Sequence, residues 1–250
     1  MTNNPEFPFY EAGEEPTQNI IFGNGTSNRV GKIAKKFGQH ALLVTDSGLS
    51  SVGHPQKIQK ILEAANLKVT LFDESIENPT ESSVQACVQV AEKSEVDLII
   101  GLGGGSSMDT AKGCNFILSN GGKMSDFWGV DKATRPMYPL IAIPTTAGTG
   151  SECQSFALIS NDISHKKMAC GDKKALPRVT LLDPELTLSQ PNSVTACTGV
   201  DALSHALESM VTSKRNKKSH HHAQLAFQLI QEFLPLVLKD PTDLYNRGQV

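Results

Sequence analysis

The chain has 250 residues, 39% of them hydrophobic and 20% charged, a balance that suits a soluble, well-cored protein of one large or two modest domains. A formal net charge of -3 and a single short basic run, SKRNKK, exclude a general field for nucleic acid or anionic lipid, so neither partner is expected. Five widely spaced cysteines, Cys87, Cys114, Cys153, Cys170 and Cys197, form neither a CxxC pair nor an even framework, which points to a reducing compartment.

The opening segment MTNNPEFPFYEAGEEP is acidic and proline-broken where a signal peptide needs a basic end and an apolar run. No later stretch is apolar for long enough to span a bilayer, so a cytoplasmic location is expected. From about residue 19 to 183, short apolar β-branched runs alternate with helical patterns, the rhythm of a parallel sheet covered by helices. HALLVTD, KVTLFD, VDLIIGLG and PLIAIP read as buried strands, and PQKIQKILEAAN and SSVQACVQVAEKSE carry apolar residues at three- and four-residue steps, as helices on a sheet do. Asp46 ends the first strong strand. It reads either as a turn-initiating aspartate or as an acceptor for ribose hydroxyls, where its charge would favour NAD over NADP by repelling a 2′-phosphate.

DLIIGLGGGSSMDTAK places Gly103, Gly104 and Gly105 between a buried strand and a helix expected to open at Ser106 or Ser107. Glycines let a ligand approach the backbone, and a first helical turn offers unpaired N–H groups, so the turn suits a diphosphate. Tight-turn geometry without a ligand explains the same residues equally well, and the spacing departs from the GxGxxG fingerprint. Asp109, placed by this reading in the first turn, is either a helix-capping carboxylate or a contact to ligand hydroxyls. IPTTAGTGSE follows another strand with Thr145, Thr146, Thr149 and Ser151 around two glycines, as a ligand loop or a plain connection.

After VTLLDPELTLSQPNS the character changes, and VTACTGVDALSHALESMV and AQLAFQLIQEFLPLVL read as successive helices. The division expected is an α/β nucleotide-binding domain over 1–188 and the start of a helical domain over 189–250, whose apolar faces need more partners than this length offers. Asp201 and His205 lie four apart on one helical face and can aim an oxygen and a nitrogen at one cation, although such a pair also serves as an ordinary surface contact. Two ligands do not complete a catalytic site. His220, His221 and His222 point roughly 100° apart in succession, so at most one can join, and they read as solvated surface. His40, His54 and His165 carry no role.

GGGSSMDTAK, PTTAGTGSE, LLDPELTLSQP and TGVDALSHALE, in this order and spacing, make the chain resemble the amino-terminal two-thirds of an iron-containing (group III) alcohol dehydrogenase, from about residue 16 to the end. The resemblance implies a Rossmann-like parallel-sheet domain followed by the start of an all-α metal-binding domain, the architecture shared with dehydroquinate synthase. It implies an oxidoreductase using NAD, or NADP, with Fe²⁺ or Zn²⁺, acting on a small alcohol or its aldehyde or ketone, and usually a homodimer. Carried over by motif, Gly103, Gly104, Gly105 and Ser106 hold the cofactor diphosphate with Asp109 nearby. Thr145, Thr146 and Thr149 line the cofactor, Asp46 lies beside the adenosine ribose, and Lys167 takes the place of a cofactor-binding lysine. Asp201 and His205 match two metal ligands. Two further histidines of the family are expected past Val250, so a chain complete at 250 residues is expected to bind metal weakly and turn over negligibly. A non-catalytic nucleotide-binding or assembly module and a dehydroquinate synthase-like lyase are the alternatives.

Overall fold

The computed structural model describes residues 18–250, so the acidic opening segment lies outside the described residues. The chain divides into two compact units, one of residues 18–144 and Ser151–Leu182, the other of Thr145–Gly150 and Asp183–Val250.

In the first unit the elements run β1 (Asn19–Phe22), α1 (Val30–Ala34), β2 (His40–Val44), α2 (Ser47–Val52), α3 (His54–Ala64), β3 (Lys68–Phe72), α4 (Glu81–Ser94), β4 (Leu98–Gly103) and α5 (Gly105–Asn120). They continue as β5 (Gly129–Val130), β6 (Leu140–Pro144), β7 (Phe156–Ser160), β8 (Lys167–Gly171) and β9 (Val179–Leu182). Six strands form an all-parallel sheet in the order β1-β9-β6-β4-β2-β3. Every residue of the interior strands β4 and β6 is buried, because both faces of the sheet are covered there. The outermost β1 instead alternates between half-buried and exposed.

The four strands anticipated from apolar runs are β2, β3, β4 and β6. A separate three-stranded sheet, β5-β8-β7, is not legible in the sequence, because β5 has two residues and β7 and β8 carry polar ends. Helix starts follow local chemistry. Thr80 and Ser83 form a reciprocal capping box at α4, and α3 opens with Pro55 after Gly53, whose φ of 87° only glycine adopts freely. Helices α4 and α5 pack on each other, and Leu42, Val88, Ile99, Cys114 and Phe116 form part of one continuous core.

The second unit consists of α6 (Asn192–Val211), α7 (Lys217–Lys239) and α8 (Leu244–Gln249), preceded by a 3₁₀ turn over Pro184–Ser189. Asn216 caps α7 in a second reciprocal box with Ser219. α6 and α7 approach closely at Gly199, where an added Cβ would overlap the Leu234 side chain. Val200, Leu207 and Val211 on α6 and Leu225 and Leu236 on α7 remain exposed, so these helices bury only part of their apolar surface. No described helix is long and apolar enough to cross a membrane.

Leu42, fully buried in a central strand, tests the sheet core. Leu42→Ala is expected to cost about 2–5 kcal/mol by urea unfolding, from lost burial and the cavity left behind.

Candidate functional site

The strand order singles out one place in the sheet. β3 lies outside β2, and the chain then returns to place β4 on the opposite side of β2. Connections leaving the carboxyl ends of β2 and β4 therefore diverge, and open parallel sheets take their ligands at such a reversal. Asp46 follows β2, and Gly103 ends β4.

Gly103 has φ of 144°, and a Cβ there would lie 2.6 Å from Ser107 Oγ, so the turn admits only glycine. α5 starts at Gly105, just before the start at Ser106 or Ser107 expected from the sequence. Its N-cap, Gly104, has no side chain to satisfy the first amides, and those N–H groups stay available to an anion. Ser107 Oγ donates to Asp46 Oδ2 (3.2 Å), while Asp46 Oδ1 accepts from the Leu49 amide (3.0 Å) and caps α2. Asp46 is thus a helix-capping aspartate that also ties the β2 and β4 turns together.

Lys167, at the start of β8, donates from Nζ to Asn78 Oδ1 (3.0 Å), and the Asn78 amide donates to Ser106 Oγ (3.3 Å). The structure therefore brings an exposed cation, distant in sequence, to the first turn of α5. Asn78 is absent from the sequence-derived set. Its available signal was an Asn-Pro turn after the strand β3, where Asn78 takes a left-handed φ of 53°.

Asp109 differs from expectation. Because α5 begins early, Asp109 falls in the second turn, with no acidic residue in the first, and it caps nothing. Its Oδ1 accepts from Ser151 Oγ (2.7 Å) and lies 3.7 Å from Lys112 Nζ. Lys112 is fully buried and donates to Ser151 O (2.5 Å), Ser151 Oγ (2.8 Å) and Phe156 O (2.9 Å). These three acceptors use the three ammonium protons. Burial pushes Lys112 down to about 8 against the pull of Asp109, and burial pushes the Asp109 carboxyl up against the pull of Lys112 and Ser151. The sequence concealed this network, because a lysine in a helical pattern reads as surface.

In the helical unit Thr145 is buried, Thr146 Oγ is buried without a partner, and Gly148 sits so close to α6 that a Cβ would overlap Thr198 O. The loop Thr145–Gly150 and α6 are thus in contact within this unit. On α6, His205 Nε2 lies 3.7 Å from Asp201 Oδ1, both about half exposed. The donor types and their shared face suit one divalent cation, but the described residues contain no group of three His, Cys, Asp or Glu that could hold one. The pair fits a cation as part of a donor set. His221 and His222 are exposed, His220 is half-buried, and none completes the set.

A glycine turn and an open helix N-terminus at the reversal of a parallel sheet place the first unit in the Rossmann-like class of α/β folds. Residues 16–184 match the family model of iron-containing alcohol dehydrogenases, and the chain belongs to that family. It is 37% identical over 228 residues to an NAD-dependent methanol dehydrogenase of Bacillus methanolicus, covering 91% of this chain and 60% of that protein. It is 38% identical over 224 residues to alcohol dehydrogenase 4 of Schizosaccharomyces pombe, covering 89% and 53%. A crystal structure of 1,3-propanediol oxidoreductase superposes with a TM-score of 0.90 at 31% identity, covering 92% of this chain and 61% of that one. The fold is that of the family: a Rossmann-like sheet unit with a helical part after it. The chain spans little more than half the length of these relatives.

Lys112→Met removes the counter-charge of Asp109 and leaves three acceptors unpaired, at an expected cost of about 3–5 kcal/mol. From about pH 8 up to the ordinary lysine value of 10.5, the unfolded chain holds this proton and the folded chain releases it. Lys112 therefore adds stability as pH rises through that window and withdraws it as pH falls through 8. Urea titrations from pH 7.5 to 9 should show the gap between wild type and Lys112→Met widening with pH.

Proposed function

We propose that this chain supplies the cofactor-binding part, and two metal ligands, of a metal-dependent NAD(P)-linked alcohol dehydrogenase. The carrying observation is the convergence of Asp46, the Gly103–Gly105 turn with Ser106, and Lys167 at the sheet reversal, residues drawn from three separate segments. In this reading the α5 amides and Ser106 bind the diphosphate. Lys167 neutralises it from the side, with Asn78 setting the position of the lysine head. Asp46 accepts from the adenosine ribose, and its charge disfavours a 2′-phosphate, which makes NAD the preferred cofactor.

Thr145, Thr146 and Thr149 offer hydroxyls to the cofactor, and Asp109 acts indirectly by holding Ser151, the residue that follows their loop. Asp201 and His205 would hold Fe²⁺ or Zn²⁺ together with further ligands, and the bound ion supplies Lewis acidity that stabilises an alkoxide. The substrate class is a small alcohol, oxidised by hydride transfer to the nicotinamide, or the aldehyde or ketone reduced in reverse. The names of the relatives, an NAD-dependent methanol dehydrogenase among them, support this reading. We also propose a homodimer, a cytoplasmic location, and the boundary near residue 188 as the division of labour between cofactor and metal binding.

A non-catalytic nucleotide-binding module is favoured by one observation, the two-donor metal set among the described residues. NAD titration calorimetry separates the roles of individual residues. Lys167→Ala should weaken NAD binding about tenfold, as expected for loss of one charge-assisted contact. Unchanged affinity would remove Lys167 from the site. In a chain of the relatives' length, Asp201→Asn and His205→Gln should each lower bound iron or zinc and abolish alcohol-dependent NADH formation. NAD binding with no alcohol-dependent NADH in that longer chain would favour the non-catalytic reading.

A further inference from the structure

A second carboxylate, Asp73, follows directly on β3 and has no part in the cofactor reading above. Backbone bonds on either side of it join the ends of β2 and β3. The Thr45 amide donates to Phe72 O (2.8 Å) and the Ser75 amide donates to Thr45 O (3.1 Å), so Asp73 lies between two residues bonded to the immediate neighbour of Asp46. Helix α2 ties the side chains as well. Asp46 caps its first turn, and Ser50 of the same helix donates from Oγ to Asp73 Oδ2 (2.9 Å). Both aspartates are half-buried.

The two carboxylates differ in the acceptors they have left. Asp46 spends one oxygen on the Leu49 amide and the other on Ser107 Oγ. Asp73 receives a single hydrogen bond from the described residues, and its Oδ1 accepts none. No lysine or arginine among the described residues forms an ion pair with either aspartate. Two carboxylates without a counter-charge, at adjoining strand ends, make a local negative field on the side of the Gly103 turn where β2 and β3 lie.

We infer that Asp73 is a second specificity-determining residue for the nucleotide, its charge adding to that of Asp46 to select NAD over NADP. The inference rests on the cofactor reading, which places the adenosine ribose at Asp46, and extends it to a residue of a different strand. A 2′-phosphate at that place brings roughly two negative charges against two carboxylates instead of one. A ribose hydroxyl is neutral and donates, which suits a carboxylate oxygen with no other partner. Neutralising Asp46 alone therefore leaves part of the discrimination in place.

The test titrates NAD and NADP separately, by calorimetry at low ionic strength, into the wild-type chain, Asp46→Asn and the double variant Asp46→Asn with Asp73→Asn. Asparagine keeps a side-chain oxygen for the Leu49 amide or for Ser50 while removing the charge. Adding Asp73→Asn to Asp46→Asn should raise the affinity for NADP relative to NAD about fivefold, and added salt should shrink that gain. A merely structural Asp73 would change both affinities together and leave their ratio where it was. An unmoved ratio, or a gain that salt leaves untouched, overturns the inference, while NAD binding in the same titrations leaves the cofactor reading standing. A wild-type chain that binds neither nucleotide overturns both.

Discussion

The first unit depends on one backbone constraint, the turn at Gly103. With φ of 144° and Ser107 filling the space a Cβ would need, the chain leaves the central strand β4 and enters α5 in a conformation that only glycine permits. Everything proposed for the cofactor hangs on where that turn stands. It lies at the carboxyl end of the strand beside which the sheet changes direction, and it leaves the first amides of α5 uncapped. The Ser107–Asp46 hydrogen bond joins it to the neighbouring strand end.

Helix α5 is shared between two tasks, and the sharing explains its composition. Its first turn faces a solvent-accessible turn with serines and glycine, whereas Ser107 to Ile117 are all buried. A lysine tolerates that burial only because its ammonium protons all have acceptors and Asp109 stands nearby. Lys112 thereby fixes Ser151 and Phe156, the residues by which the chain re-enters the first unit after the Thr145–Gly150 loop. A rigid anchor at the exit of a glycine-containing loop limits the conformations that loop explores.

The helical unit is built more sparsely. α6 and α7 meet where Gly199 admits Leu234, yet several large apolar side chains on both helices still face solvent. The two candidate metal ligands sit on such an incompletely covered helix, each about half exposed. Half-exposed donors are free to rotate, and a cation needs further ligands to hold them in one geometry.

Much of this protein was legible from local pattern. Short apolar runs marked β2, β3, β4 and β6, and in β4 and β6, where every residue is buried, coverage of both faces leaves no room for alternation. The glycine-rich turn declared itself by its composition, and at Gly103 the backbone conformation and the nearby Ser107 side chain admit no other residue. The four-residue spacing of Asp201 and His205 sufficed to place them on one helical face. What local pattern left undecided was set by residues far apart in the chain. Lys167 reaches Ser106 only through Asn78, Asp109 serves Ser151 and not its own helix end, and Lys112 finds its acceptors at Ser151 and Phe156. Propensity and periodicity act over a few residues, whereas the partner of a buried charge is chosen by whichever distant segment the fold brings within hydrogen-bonding distance.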